Sequence, residues 1–179
     1  NGDENNANFS VVGTAGNDSF HVTPGPTNDS GQVQVNSLLG VTYQNLGASG
    51  SVTATGNGGT DLLAVAGTSG SDTFNVAAAT GNVTLNANLP IVATAIANLE
   101  LDGFTGDDVF NLAGASGSRL AADLAAPITL NGSGGNNALN VDDSTDPAAN
   151  AVTTAPGTIT GIGSTISYSN FVTLNLDLG

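Results

Sequence analysis

The sequence has 179 residues, of which 39% are hydrophobic, 9% are charged and 25 are glycine, and its formal net charge is −14. A single basic side chain, Arg119, leaves almost nothing to hold phosphates, so nucleic acid is excluded as a partner, and the lack of cysteine excludes disulfides. No apolar run is long enough for a membrane span, and the polar first residues do not resemble a signal peptide.

Short strands are predicted from the beginning of the chain. Residues 1–12 form a polar lead followed by a first strand. The loop Thr23–Gly31 is expected to project outward, because Pro24 and Pro26 end the strand before it. Alternation of apolar and polar residues, bounded by Gly, Ser or Asn, predicts further strands at Gln32–Val35, Val41–Leu46, Ser51–Thr55 and Gly81–Asn86.

A ten-residue pattern, G-x-x-G-x-D-x-F-x-V, recurs along the chain. Its five copies begin at Gly13, Gly56, Gly67, Gly103 and Gly132. In the third copy Asp72, Phe74 and Val76 share parity, so we expect them to lie on one face of a strand. One such unit cannot bury its own apolar face, so the copies are predicted to stack on one another.

The recurrence divides the chain into three irregular repeat units, at residues 13–66, 67–131 and 132–179. We therefore predict an all-β fold, a parallel β-solenoid or β-helix of about three irregular units. A tandem β-sandwich is the alternative, because short strands with turn residues do not distinguish parallel from antiparallel pairing. A short helix is predicted at residues 116–126. The last unit stops where another corner would begin, so we expect it to continue into a longer array.

The ten-residue pattern resembles the RTX, or haemolysin-type, calcium-binding repeat G-G-x-G-x-D-x-U-x, where U is a large apolar residue. This resemblance implies that calcium is held by turn carbonyls and four aspartates, Asp18, Asp61, Asp72 and Asp108. The copies start 43, 11, 36 and 29 residues apart, and Asn137 replaces the acid in the fifth. Most of the chain is also similar to the long repeat-rich surface proteins of environmental bacteria, which implies an extracellular or cell-surface location.

Acidic residues that adjoin in sequence are further calcium candidates. Adjacent carboxylates repel unless a cation or a proton intervenes, and such pairs occur at Asp107 and Asp108 and at Asp142 and Asp143. The alternative is that each corner aspartate caps its turn by accepting hydrogen bonds from backbone N–H groups. Among the glycosylation sequons, Asn28 in the outward loop is the best candidate.

The function predicted from these features is structural: an extracellular repeat segment of a stalk, fibre or surface layer, stiffened by calcium and packed against copies of itself or adjacent repeats. An adhesin that binds cell-surface glycan through loops Thr23–Gly31 and Asp142–Asn150 is the alternative. A β-helical glycoside-cleaving enzyme is a minor alternative. Neighbours on a strand point to opposite faces, so Asp107 and Asp108 cannot flank one bond, and no catalytic residue is predicted.

Overall fold

The computed structural model describes residues 6–77, 81–113, 126–144 and 151–178, and these residues contain strands and turns but no helix. Apart from Ala126, the helix predicted at residues 116–126 lies outside them. In chain order the strands are β1 (Asn8–Val12), β2 (Ser19–Pro24), β3 (Gly31–Val35), β4 (Val41–Tyr43), β5 (Ser51–Thr55), β6 (Leu62–Ala66), β7 (Thr73–Ala77), β8 (Asn82–Leu85), β9 (Ile91–Thr94), β10 (Asn98–Asp102), β11 (Val109–Ala113), β12 (Ile128–Asn131), β13 (Ala138–Asp142), β14 (Thr153–Ala155), β15 (Thr158–Thr160), β16 (Ile166–Ser169) and β17 (Thr173–Asp177).

The strands form two sheets. The eight-stranded sheet has the order β1-β5-β9-β8-β7-β11-β13-β17, and the nine-stranded sheet has the order β14-β15-β16-β12-β10-β6-β2-β3-β4. The all-β prediction is therefore confirmed. Both sheets mix parallel and antiparallel pairs, which differs from the purely parallel pairing expected of a simple solenoid.

Parallel ladders form the centre of each sheet. In the nine-stranded sheet β2, β6, β10, β12 and β16 are parallel, and in the eight-stranded sheet β7, β11, β13 and β17 are parallel, as are β1, β5 and β9. Their register brings equivalent residues of the repeat side by side. Phe74, for example, is followed across the ladder by Phe110, Leu139 and Leu174.

Antiparallel strands are additions to these ladders. Strands β3 and β4 extend the nine-stranded sheet beyond β2, and β14 and β15 extend it beyond β16. Strand β8 connects β7 to β9 within the eight-stranded sheet. Because these hairpins lengthen the path between successive ladder strands by different amounts, the spacing of the repeat along the sequence is irregular.

Inward side chains from both sheets form one hydrophobic core. The predicted parity is confirmed, because Asp72, Phe74 and Val76 are buried while Asn75 on the same strand is exposed. Phe74 stacks on Phe110 with ring centroids 4.6 Å apart. Because side chains alternate along a strand, every second residue of each ladder strand faces the core. The inward apolar residues of the two sheets form this core together.

Candidate functional site

The five copies of the repeat form corners between the two sheets, and these corners lie in two separate stacks. The first corner stack contains residues 13–18 and 56–61, where the chain passes from the eight-stranded to the nine-stranded sheet. The second corner stack contains residues 67–72, 103–108 and 132–137, where it passes back. The 11-residue step from Gly56 to Gly67 therefore crosses between stacks, whereas the steps of 43, 36 and 29 residues stay within one.

Within a stack, each corner is bonded to the next through the residue at its acid position. The side chain of one corner accepts a hydrogen bond from the backbone N–H at the same position of its neighbour. These bonds measure 2.8–2.9 Å and run from Asp18 N–H to Asp61 Oδ1, from Asp72 N–H to Asp108 Oδ1 and from Asp108 N–H to Asn137 Oδ1. All five side chains, four carboxylates and one amide, are at most 3% exposed. Their oxygens therefore accept these backbone N–H groups inside the protein.

Two of these corners also bond the carboxylate from within their own turn. Asp72 Oδ2 accepts the Thr68 N–H at 2.6 Å and the Thr68 hydroxyl at 3.0 Å. Asp18 Oδ2 accepts the same two groups from Thr14, at 2.6 and 2.9 Å. The threonine that follows the first glycine therefore satisfies one oxygen of the acid, as expected of a capping aspartate.

An asparagine from a hairpin supplies a further donor to each of these two acids. The Nδ2 groups of Asn36 and Asn86 donate to the Oδ1 atoms of Asp18 and Asp72, at 2.7 and 2.6 Å. The bond from Asn36 is the largest cause that lowers the pKa of Asp18, with bonds from Thr14 adding to it and burial opposing it. Asp18 and Asp72 belong to the first corner of each stack, so no earlier corner donates an N–H to their Oδ1 atoms. The two asparagine amides supply that donor instead.

The first glycine of each corner leaves room for the buried side chain. A Cβ atom added at any of these glycines would come within 3.0 Å of the side chain at the acid position of its own corner; they are Gly13, Gly56, Gly67, Gly103 and Gly132. The pairing of this glycine with an acid or amide five residues later is therefore a packing requirement of the corner.

Asp108 differs from the other corner acids. Phe104 stands in place of the threonine found in the Asp18 and Asp72 corners, has a positive φ of 62° and donates its N–H to Asp102 Oδ1 instead. As a result Asp108 Oδ2 is buried without a hydrogen-bond partner. Ser133 in the neighbouring corner has the same backbone turn, with φ 54°, but there the acid is replaced by Asn137. The Nδ2 group of this amide donates to the Gly132 carbonyl at 2.8 Å, so the corner is satisfied.

Burial raises the pKa of Asp108, and the negative charges of Asp72, Asp107 and Asp102 raise it further, whereas the Asp72 N–H lowers it. A folded pKa above the unfolded value means that the protonated carboxyl contributes most to stability below the unfolded pKa. That contribution is lost as the pH rises through the folded pKa. At neutral pH the corner is thus expected to carry the cost of the unpartnered oxygen.

We expect Asp108→Asn to stabilise the protein at pH 7. The new Oδ1 keeps the bond from the Asp72 N–H, and the new Nδ2 can donate as that of Asn137 does. The expected gain is about 1 kcal/mol, or a melting temperature raised by about 2–4 °C. Because the wild-type carboxyl becomes protonated in acid, the difference should shrink as the pH falls toward 4, which thermal melts across this pH range would measure.

Asp107→Asn is the matched control, because it removes the same charge one residue away. Asp107 is exposed and accepts the Asn136 N–H at 2.7 Å, so its replacement should change the melting temperature by less than that of Asp108. Equal shifts for the two variants would mean that relief of net charge, and not the buried oxygen, causes the effect.

The two members of each acidic pair differ in burial, and for Asp107 and Asp108 opposite orientations were predicted. Asp107 is exposed and Asp108 buried, and Asp142 is exposed while Asp143 is buried. Asp142 accepts a bond from the Ser144 hydroxyl, which is the largest cause that lowers the pKa of Asp142. Neither pair therefore presents two carboxylates on one face.

Within the described ranges no three acidic or histidine side chains come close enough together to hold a metal ion. The seven acids predicted as calcium ligands are instead distributed over two corner stacks and the end of β13. Asn28, the predicted glycosylation site, is exposed in the loop after β2. Of the loop predicted at Asp142–Asn150, residues 145–150 lie outside the described part of the chain.

A ladder of asparagines on the outer face of the eight-stranded sheet was not predicted. Each Nδ2 donates to the Oδ1 of the preceding member at 2.7–2.9 Å, and the members are Asn75, Asn111, Asn140 and Asn175. The signal was present in the sequence as four triplets, FNV, FNL, LNV and LNL, in which the asparagine lies between two inward apolar residues. As in the corner stacks, every hydrogen bond of this ladder has the same direction, here from one strand to the preceding strand of the ladder.

The fold and its corners define a class: an all-β protein of two mixed sheets, in which parallel ladders carry rows of bonded polar side chains. No family model matches the sequence, and searches of curated proteins and of solved structures find no match. Among the residues that the structure describes, no helix has the length and apolar character required to cross a membrane.

Proposed function

We propose that this chain is a structural repeat segment of an extracellular stalk, fibre or surface layer, with no catalytic role. The observation that carries the proposal is that each corner is completed by the next corner of its stack, through bonds such as that from Asp72 N–H to Asp108 Oδ1. On the outer face of the eight-stranded sheet, the asparagine ladder likewise bonds each strand to the next. A structure in which every layer mainly bonds its neighbours is suited to extension.

We also propose that the fold is an irregular parallel β-solenoid of about three units. Its support is the set of three parallel ladders, in which strands 29 to 43 residues apart pair in register. The antiparallel hairpins are then insertions between successive turns of the solenoid. This interpretation explains why the two corner stacks have the same internal bonding although their spacing in sequence differs.

The proposed partner is another copy of this chain or an adjacent repeat, placed against β17. This strand is an edge of the eight-stranded sheet. Leu174 and Leu176 continue the inward rows of the ladder but are only half-buried, whereas Leu139 and Val141 in the preceding strand are at most 1% exposed. An edge strand with unfilled apolar positions is a template for pairing with a further strand.

Electron microscopy and light scattering of the purified chain at rising concentration test this proposal. We expect end-to-end particles that are lost in Leu176→Lys, which places a charge on the half-buried inward row. Thr173→Lys adds the same charge on the exposed outer face of the same strand and should still assemble. Particles that stay monomeric at every concentration, or equal loss in both variants, would contradict the proposal.

Calcium stiffening and the RTX resemblance form part of the same proposal. Their support is the net charge of −14, because a repeating acidic chain that packs against its own copies must take up cations or repel itself. The assembly experiment therefore includes calcium, magnesium at equal ionic strength, and a chelator. Calcium binding is supported if calcium promotes assembly more than magnesium does, and it is contradicted if the two ions act equally.

A further inference from the structure

The two edge strands of the eight-stranded sheet run in the same direction. Strands β1, β5 and β9 are parallel to one another, as are β7, β11, β13 and β17. Strand β8 is antiparallel to both β9 and β7, so the two groups share one direction. The edge strands β1 and β17 can therefore pair in parallel when a second copy is placed beyond β17 in the same orientation.

One row of cross-strand partners crosses the whole sheet. Phe9 on β1 and Leu176 on β17 are the two ends of this row. The members between them are Val52, Ile91, Val83, Val76, Leu112 and Val141. A copy that continues the row places its Phe9 beside Leu176, so two half-buried inward side chains cover each other while the unpaired backbone groups of both edges bond.

The asparagine ladder continues in this register. Asn8 and Asn175 each lie one residue before an end of the row, so they become neighbours on the outer face, where both are exposed. Asn175 Nδ2 donates to Asn140 Oδ1, and Asn175 Oδ1 has no donor within the described residues. Asn8 Oδ1 accepts the Ser51 hydroxyl at 2.9 Å, and Asn8 Nδ2 has no acceptor among the same residues. The free donor of one edge thus matches the free acceptor of the other, in the direction that every bond of the ladder already has.

The charges of the two edges are compatible with this pairing. Strand β1 carries no charged residue, so Asp177 of β17 is placed beside Ser10 and not beside another acid. Two copies related by a two-fold axis would instead pair β17 with β17 in antiparallel orientation. That arrangement brings both Asp177 carboxylates into one contact and stops after two copies.

Exposed apolar side chains lie near both ends of the stack. Phe9 of β1 stacks on Tyr43 of β4 with ring centroids 5.4 Å apart, so these two edge strands close the same end of the core. Val12 and Val41 on these strands are 61% and 53% exposed, and Val172, directly before β17 at the opposite end, is 66% exposed. Each end therefore presents apolar surface that a neighbouring copy can cover.

We propose that copies of this chain assemble head to tail, with β17 of one copy paired in parallel with β1 of the next and Asn8 donating to Asn175. This inference rests on the structural role proposed above and names the surface that meets β17. Because the two contact surfaces differ, an assembly of any length keeps one free β1 and one free β17. Addition therefore continues as an open fibre.

Disulfide cross-linking tests this pairing, because the chain has no native cysteine. Directly opposite residues on neighbouring strands lie about 4.8 Å apart, within reach of a disulfide. Asn8 and Asn175 of one copy lie on opposite edges of the eight-stranded sheet, about 34 Å apart at that spacing, and cannot bridge within it. We expect the double variant Asn8→Cys with Asn175→Cys to form covalent dimers, trimers and larger multimers when it is oxidised under assembling conditions.

Ser10→Cys combined with Asn175→Cys is the matched control. Ser10 is exposed on the same face of β1, but in the proposed register it lies about 8 Å from Asn175, beyond the reach of a disulfide. This variant should stay monomeric on a denaturing gel. If light scattering shows assembly, then equal cross-linking of the two double variants, dimers of Asn175→Cys alone, or no covalent multimers would overturn the head-to-tail pairing and leave the structural role standing. Scattering without assembly at any concentration would overturn both.

Discussion

Replacing Phe110 with alanine is expected to lower the free energy of unfolding by about 3–5 kcal/mol. The ring is 0% exposed and lies between two others, with its centroid 4.6 Å from that of Phe74 and 5.1 Å from that of Phe171. The truncation leaves a cavity beside Phe74 and Phe171 and removes the ring contacts of both. Urea unfolding followed by circular dichroism measures the loss.

Phe104→Ala is the control for this variant, because Phe104 lies six residues earlier in the adjoining corner but is 48% exposed. Its side chain contributes little buried area, so its removal should change the free energy of unfolding by at most about 0.5 kcal/mol. If both variants lost a similar small amount, the stacked aromatic rings would not form the centre of the core.

The strands and their inward faces could be predicted from the sequence because the period of two is a local signal. The strand predicted at Ser51–Thr55 matches β5, and the burial of Phe74 and Val76 follows from their parity alone. No information from distant residues is needed for either prediction. Local alternation therefore sufficed for strands such as β5 and β7, whereas the strand predicted at Val41–Leu46 ends already at Tyr43.

The arrangement of the corners could not be predicted in the same way. The sequence presents the five copies as one series, and the spacing between Gly56 and Gly67 resembles two consecutive repeats. In the structure only β6 lies between these two corners, so they belong to opposite sides of the core. Which sheet a strand enters depends on pairing with strands 29 to 43 residues away, and the inserted hairpins vary that distance.

The role of the corner acids was likewise decided by a distant partner. In the sequence, a glycine-flanked aspartate is compatible with a cation site and with a turn cap. A turn cap requires that an N–H group lies opposite the carboxylate oxygen, and the sequence does not show this. For Asp108 that group belongs to Asp72, 36 residues earlier. Asn137 illustrates the same point, because its amide oxygen accepts the Asp108 N–H just as a carboxylate would. Substitution of the acid thus preserves the bond between corners.

Replacing Asp72 with alanine is expected to cost about 3 kcal/mol of unfolding free energy. Asp72 is 1% exposed, and its oxygens accept the Thr68 N–H at 2.6 Å, the Thr68 hydroxyl and the Asn86 amide at 2.6 Å. Truncation removes the acceptor of all three partly buried bonds, and hydrogen bonds to a charged carboxylate contribute more than neutral ones. Asp177→Ala, on the exposed face of β17, removes the same charge and should change stability by at most about 0.5 kcal/mol.

Alanine substitutions at two glycines of the same corner test the hydrogen bonds of Asp72 while its side chain is kept. A Cβ at Gly67 would lie 2.8 Å from Asp72 Oδ2 and 3.1 Å from the Asp102 carbonyl, so Gly67→Ala must displace the carboxylate from its donors. A Cβ at Gly70 would meet nothing closer than Thr68 Oγ1 at 3.8 Å, and Gly70→Ala should be neutral or stabilising by about 0.4–1 kcal/mol. Gly67→Ala should therefore approach the destabilisation of Asp72→Ala. A Gly67→Ala protein as stable as Gly70→Ala would show that the carboxylate does not hold the corner together.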